Sequence, residues 1–338
     1  MKIPTPTRLP SGNYNIRLRL DGQNISITRP TATECRTEAQ LLKAKYKAGE
    51  QLPNKKAEIL TLREAIKQYI SNSEATLSPA TIRGYTQILN NRFKPYMDKK
   101  ISDVQWQRMI DKELLKSSEK TVKNAWGLAR SALKFAGIEP PQVKLAKVPI
   151  KEIAFLQPEE IKPFCKALEG RSFEIPVLLE LHGMRLSEVL GLDWSNIDLN
   201  KKLITVNGAR VRSNDGMVYK KTNKNQTSTR KVPIMIPQLL SALQAVEDKT
   251  GSVAKLNQTS MLKDVKRTCQ QAKVTEVTNH GLRHSFASLC YHLDISERQL
   301  MAWGGWSDYA TMHKIYIRLA ASDESDAAKN IENFFSEN

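Results

Sequence analysis

Leu181-His182-Gly183-Met184-Arg185-Leu186-Ser187-Glu188-Val189-Leu190-Gly191-Leu192-Asp193-Trp194 surrounds one arginine with apolar residues. The pattern predicts helix over residues 176–190, with Arg185 placed after Gly183, where two helical pieces could meet. Glu188 falls three positions on, so on a helix it shares the arginine's face and could orient it. Taken alone, an arginine in such a run is usually a surface or structural salt-bridge residue, and its meaning depends on other stretches.

Three further patches lie downstream. Lys220-Lys221-Thr222-Asn223-Lys224-Asn225-Gln226-Thr227-Ser228-Thr229-Arg230-Lys231-Val232-Pro233 reads as a polar hairpin tip ahead of a strand over residues 232–236. A lysine on a mobile turn can swing into a site and donate a proton. His280-Gly281-Leu282-Arg283-His284-Ser285-Phe286-Ala287-Ser288 places His280 and Arg283 three apart, so a helix points both in one direction. A guanidinium can bond two phosphate oxygens, and an imidazole beside it can donate or accept a proton. Finally, Trp303-Gly304-Gly305-Trp306-Ser307 is followed by His313-Lys314-Ile315-Tyr316-Ile317-Arg318. A lone tyrosine at helical spacing is ordinarily packing.

Upstream, Tyr14, Ile16, Leu18 and Leu20 alternate with polar residues, Asp21-Gly22 is a turn signal, and Ile25 and Ile27 continue the alternation in a return strand. A helix is expected over residues 38–47, stopping at Gly49. Residues 51–56 read as a linker. Helical spacing then predicts four helices between Leu62 and Gly137, a bundle of domain size. Pro140-Pro141 and Pro149 break the pattern. A larger mixed region follows, with strands expected over 202–206 and 231–236, a helix over 239–246, and mostly helix from 263 to about 335. The fold class is therefore mixed α+β and multidomain. It comprises a small β-sheet-plus-helix unit (residues 1–50), a helical bundle (58–138), a linker (139–152) and a mainly α domain with a small antiparallel sheet (153–338), whose tail begins at about 320.

In this order, Arg…Lys…His-x-x-Arg…Trp…Tyr closely resembles the tyrosine recombinase (phage integrase) family, over residues 156–338. The resemblance implies a catalytic set of Arg185, Lys224, His280, Arg283, Trp306 and the nucleophile Tyr316, with Glu188 supporting; Lys221 is the alternative lysine and Tyr309 the alternative tyrosine. Trp306 replaces the commoner histidine of the family, and Trp303 a usual leucine, which reads as packing. The bundle similarly resembles the family's core-site binding domain and the β unit its arm-site binding domain. The implied reaction is transesterification of a DNA phosphodiester through a 3′-phosphotyrosine, with no ATP and no metal. The chain has no G-x-x-x-x-G-K-[ST] loop, and no cofactor is expected.

Composition agrees with such a partner. Fifty-two Lys+Arg face 35 Asp+Glu in 338 residues, a formal charge of +17, and cations release counterions when they neutralise phosphates. Nine cations against Asp215 alone lie between Lys201 and Lys231. DNA contacts are expected from Arg17, Arg19, Arg29, Arg83, Lys123, Arg130, Lys220, Lys221 and Arg230. The acidic segment 322–338 should dock on protein instead, with Ile331, Phe334 and Phe335 packing into a neighbouring protomer. No apolar run approaches the roughly 18 residues of a membrane helix, and Cys35, Cys165, Cys269 and Cys290 are too scattered for a disulfide framework or a zinc site. A cytoplasmic, bacterial location is expected, nucleoid-associated on DNA. The reading is thus a site-specific integrase of a prophage or integrative conjugative element. It would act on double-stranded attachment-site DNA as a homotetramer, helped by an excision factor and a host DNA-bending protein. A type IB topoisomerase-like nicking-closing enzyme and an inactive sequence-specific DNA-binding protein are the alternatives.

Overall fold

The computed structural model describes residues 3–20, 23–47, 60–149, 152–221, 229–254 and 258–306, with residues 309 and 336. The chain divides into two compact units, one of residues 1–76 and 85–148, the other of 77–84 and 149–338. Among the described residues, no helix is long and apolar enough to cross a membrane.

In the first unit, strands β1 (Thr7–Arg8), β2 (Tyr14–Leu20) and β3 (Gln23–Arg29) form an antiparallel sheet in that order. Ile16 pairs with Ile27 and Leu18 with Ile25. The period-two pattern therefore delivers Ile16, Leu18, Leu20 and Ile27 to one face, where they bury with Cys35 and Ala39 of helix α1 (Ala32–Lys47). Helix α1 starts six residues before the expected position. The missed signal is Thr31, whose hydroxyl accepts from the Glu34 N–H at 3.2 Å, as an N-cap does. The Asp21-Gly22 turn lies outside the described residues.

The bundle consists of α2 (Leu62–Ser73), α3 (Pro79–Asn91), the short α4 (Lys94–Met97), α5 (Trp106–Leu114) and α6 (Glu119–Phe135). Thr61 and Glu64 close a capping box on α2, and Ser118 caps α6. Leu62, Ile66, Met109, Ile110, Val122 and Leu133 recur at helical spacing and fill its core.

The second unit is mainly helical: α7 (Pro158–Leu168), α8 (Glu174–Leu181), α9 (Leu186–Gly191), α10 (Pro237–Ala245), α11 (Gln258–Ala272), α12 (Asn279–His292) and α13 (Glu297–Gly304). Strands β4 (Ile197–Asp198), β5 (Leu203–Val206) and β8 (Arg230–Pro233) form one antiparallel sheet, while β6 (Gly208–Arg212) pairs with β7 (Met217–Lys221) in a separate hairpin. Two expectations are corrected here. The last strand ends at Pro233 and pairs with β5, while β7 pairs with β6. The hairpin partner of β6, which follows the turn at Gly216 with φ +132°, was not expected, and only its last two residues, Lys220 and Lys221, fall in the stretch read as a polar tip.

The helical stretch over 176–190 is in two pieces that meet at Gly183, where the sequence placed a junction. Gly183 takes φ +87°, and a Cβ there would stand 2.5 Å from Phe286 Cδ1. Any other residue meets both left-handed backbone strain and the Phe286 ring. Gly183→Ala should therefore lower stability by about 1–3 kcal/mol in denaturant unfolding; an unchanged midpoint would show that the elbow tolerates a side chain.

Candidate active site

The elbow at Gly183 positions Arg185 as the residue preceding α9, in extended conformation. Glu188 binds it twice: Oε2 accepts the Arg185 backbone N–H and Oε1 accepts Nη1, both at 2.9 Å. The i, i+3 spacing was legible in the sequence. The carboxylate is buried, yet its pKa sits below the ordinary value. Burial alone pushes it up, and the hydrogen bonds and charges of Arg230 and Arg185 outweigh that.

Arg283 comes from α12 and is 2% exposed. Its Nη1 donates to the carbonyls of Gly183 and Gly304, the latter at 2.6 Å. The Trp306 ring lies over its guanidinium carbon, 3.6 Å from the ring centroid, a close cation–π contact. A Cβ at residue 304 would overlap that ring, which makes Gly304 the residue that lets Trp306 settle. Burial first, then the charge of Arg185, pushes Arg283 down to about 9, so it remains a cation at neutral pH. Among the described residues its buried Nη2 has no hydrogen-bond partner, leaving a desolvated cationic donor suited to an anionic oxygen.

Three successive carbonyls at the C-terminal end of α13 each receive a different arginine. Trp303 accepts Arg230 Nε at 2.8 Å, Gly304 accepts Arg283, and Gly305 accepts Arg185 Nη2 at 2.7 Å. These are the carbonyls that a helix leaves without internal partners, and the negative end of its dipole favours cations. Gly305 makes the end possible by taking φ +67°. Three guanidinium groups thus crowd around one carboxylate, and the cluster carries a surplus of positive charge.

His280 begins the same helix face one turn before Arg283. Partial burial, then the charges of Arg283 and Arg185, hold its pKa below the ordinary imidazole value. At neutral pH it is uncharged and able to accept a proton. Its ring packs edge-on against His284, with centroids 4.7 Å apart. The structure therefore brings Arg185, Glu188, His280, Arg283 and Trp306 into one cluster. Lys224 and Tyr316 lie outside the described residues, as does the tail with Ile331, Phe334 and Phe335.

Of the residues expected on DNA, Arg17, Arg19, Lys123, Arg130 and Lys220 are exposed, and Arg83 is half-buried. Arg29 is exposed and hydrogen-bonds Glu38 at 2.5 Å. Lys221 ends β7. Arg230 departs from the expectation: its guanidinium turns inward to Glu188 and the Trp303 carbonyl. The polar run around it suggested an exposed tip, whereas Arg230 opens β8 and faces the core.

Two groups near the cluster escaped the sequence reading. Glu180 on α8 is buried, and burial pushes it up to about 8 against the hydrogen bond from the Asn279 amide, 2.7 Å away and next to His280. A carboxyl within Val177-Leu178-Leu179-Glu180-Leu181 was the available signal. His182 is buried and donates from Nε2 to the Pro233 carbonyl at 2.7 Å, tying the elbow to β8.

The phage integrase family matches residues 154–323, and the phage integrase N-terminal SAM-like domain matches residues 61–112. The integrase of Staphylococcus phage L54a is 26% identical over 173 residues, 45% of this chain and 49% of that protein, so the match spans about half the length of that relative. The ICEBs1 integrase of Bacillus subtilis (strain 168) is 23% identical across 96% of this chain and 98% of its own length. Among solved structures, the Tn1549 transposon integrase in complex with transposon right end DNA superposes with a TM-score of 0.62 at 16% identity, covering 80% of this chain and all of that one. A lambda integrase tetramer bound to a Holliday junction gives 0.54 at 17% identity, over 90% and 96%. The mixed α and β architecture is the one these structures share, and half of the sequence, carrying the clustered arginines, matches one family model. This chain belongs to the phage integrase family.

Proposed function

We propose that the protein is a site-specific DNA recombinase that integrates or excises a mobile element through a 3′-phosphotyrosine intermediate. The observation that carries this reading is the convergence of Arg185 and Arg283 on neighbouring carbonyls of α13, beside His280 and beneath Trp306. Tyr316 Oη attacks the scissile phosphorus, the P–O5′ bond breaks, and the phenolic proton passes to His280. Lys224 protonates the departing 5′ oxygen. A 5′-hydroxyl of a partner duplex then attacks the phosphotyrosine and restores the phosphodiester, so the bond energy is conserved. Charge developing on the phosphorane is met by Arg185, Arg283 and the Trp306 indole N–H.

The same reading assigns residues 58–138 to core-site DNA, residues 1–50 to arm-site DNA, and four copies of the chain to the synapse. The relatives from a phage and from an integrative element support it, as does a lambda integrase tetramer on a junction. An excision factor, a host bending protein and a cytoplasmic location belong to this proposal.

A supercoiled plasmid carrying two attachment sites provides the test. Recombinant circles are expected. Relaxation without new joints would indicate a topoisomerase, and binding without either would indicate an inactive DNA-binding protein. The general acid is identified separately with a substrate bearing a 5′-thiolate leaving group, which needs no protonation. Lys224→Ala should be rescued on it and Lys221→Ala should not; the reverse would reassign the lysine.

A further inference from the structure

We propose that Arg230 is a positioning residue: by clasping Glu188 and the Trp303 carbonyl, it sets where Arg185 and Arg283 meet the scissile phosphate. The proposal rests on the recombinase reading above. The Arg230 side chain is 11% exposed. Nη1 and Nη2 reach the two oxygens of Glu188 at 3.1 and 2.7 Å, and Nε donates to Trp303. Its fork is spent on the protein rather than turned to solvent.

The Glu188 carboxylate consequently receives four donors, two from Arg185 and two from Arg230. One anion spaces two cations that would otherwise repel. Arg230 also lies against residue 305, where a Cβ would stand 2.6 Å from Nη1, and the Gly305 carbonyl is the one that holds Arg185. Strand β8, helix α9 and the end of α13 are therefore joined through a single guanidinium. Arg230 follows Lys224 by six residues, so the clasp also anchors the strand onto which the lysine-bearing segment leads.

The charged groups facing Glu188 are Arg185, Arg230 and Arg283. With Arg230 removed, burial acts on the carboxyl with half its donors gone, and its pKa rises. Protonated Glu188 no longer holds Arg185 as an ion pair. Cleavage should then weaken as pH falls through the raised value and recover above it, an acid limb lying above the one that His280, as proton acceptor, gives the intact protein.

The test is single-turnover cleavage of a nicked core-site duplex by the full chain between pH 5.5 and 9, with DNA affinity measured at several salt concentrations. Arg230→Met should bind DNA within about twofold, with an unchanged salt slope. It should cleave about a hundredfold more slowly at neutral pH, as expected for a misplaced catalytic group, and show the acid limb; Arg230→Lys should fall between it and wild type. Adding Glu188→Gln to Arg230→Met should abolish the limb. Three results overturn the proposal. One is wild-type cleavage in either variant. Another is a salt slope reduced by about one charge, which would place Arg230 on a phosphate. The third is an upward-shifted acid limb, above that of His280, that survives Glu188→Gln. Should Arg230→Met fail to fold, Arg230→Lys decides alone, because it keeps the charge but cannot bridge all three acceptors. If wild type itself forms no adduct, the recombinase reading fails, and the clasp is read independently as the Arg230–Glu188 coupling in denaturant unfolding; absence of coupling would reject it.

Discussion

Tyr316→Phe should bind core-site DNA with wild-type affinity and form no covalent adduct, a loss of at least about 10⁴-fold in cleavage. The substitution deletes one oxygen and leaves the ring. Binding by the cationic surface and the phosphate contacts proposed for Arg185 and Arg283 do not depend on that oxygen, so the two measurements should separate completely. Adducts that survive denaturing electrophoresis in the variant would move the nucleophile elsewhere, with Tyr309 next in order. A hydrogen bond to Glu297 raises the Tyr309 phenol above its ordinary pKa. Tyr309→Phe should retain adduct formation.

The second large effect is expected at Arg283. Replacing it with lysine keeps a positive charge but removes the planar fork that touches Gly183 and Gly304 while presenting Nη2. Cleavage by Arg283→Lys should fall about 10²–10³-fold, the scale on which one fixed donor at a developing oxyanion acts. DNA affinity should fall far less, because a single buried contact is small beside the many surface cations. The same substitution removes the flat surface under Trp306, so the tryptophan fluorescence of the DNA-free protein should change as well. If Arg283→Lys cleaves normally, Arg283 acts as a simple counter-charge and the phosphate clamp must be assembled from other residues.

Much of this arrangement was already visible as local pattern. The alternation of Ile16, Leu18 and Leu20 produced β2, and Leu62, Ile66 and Leu133 fell on the helix faces that their spacing demanded. The i, i+3 relation between Arg185 and Glu188 became a real pair. These features are short-range: periodicity and caps act within a turn or a strand, and the residues concerned are neighbours in the chain. The missed start of α1 was legible too, in Thr31 and Glu34. It was overlooked because the cap precedes the apolar residues of the helix.

The sequence by itself determined many of the elements and the motif whose residues belong to the phage integrase family. Only the tertiary structure decided that Arg185, Arg230 and Arg283 end on three consecutive carbonyls, that β8 pairs with β5, and that the Arg230 guanidinium turns to Glu188. The physical reason lies in the acceptor. A main-chain carbonyl is the same group at every position, so no side-chain pattern announces which one will receive a guanidinium. That choice is made when packed helices and strands bring the unpaired end of α13 to residues 21, 73 and 120 positions away.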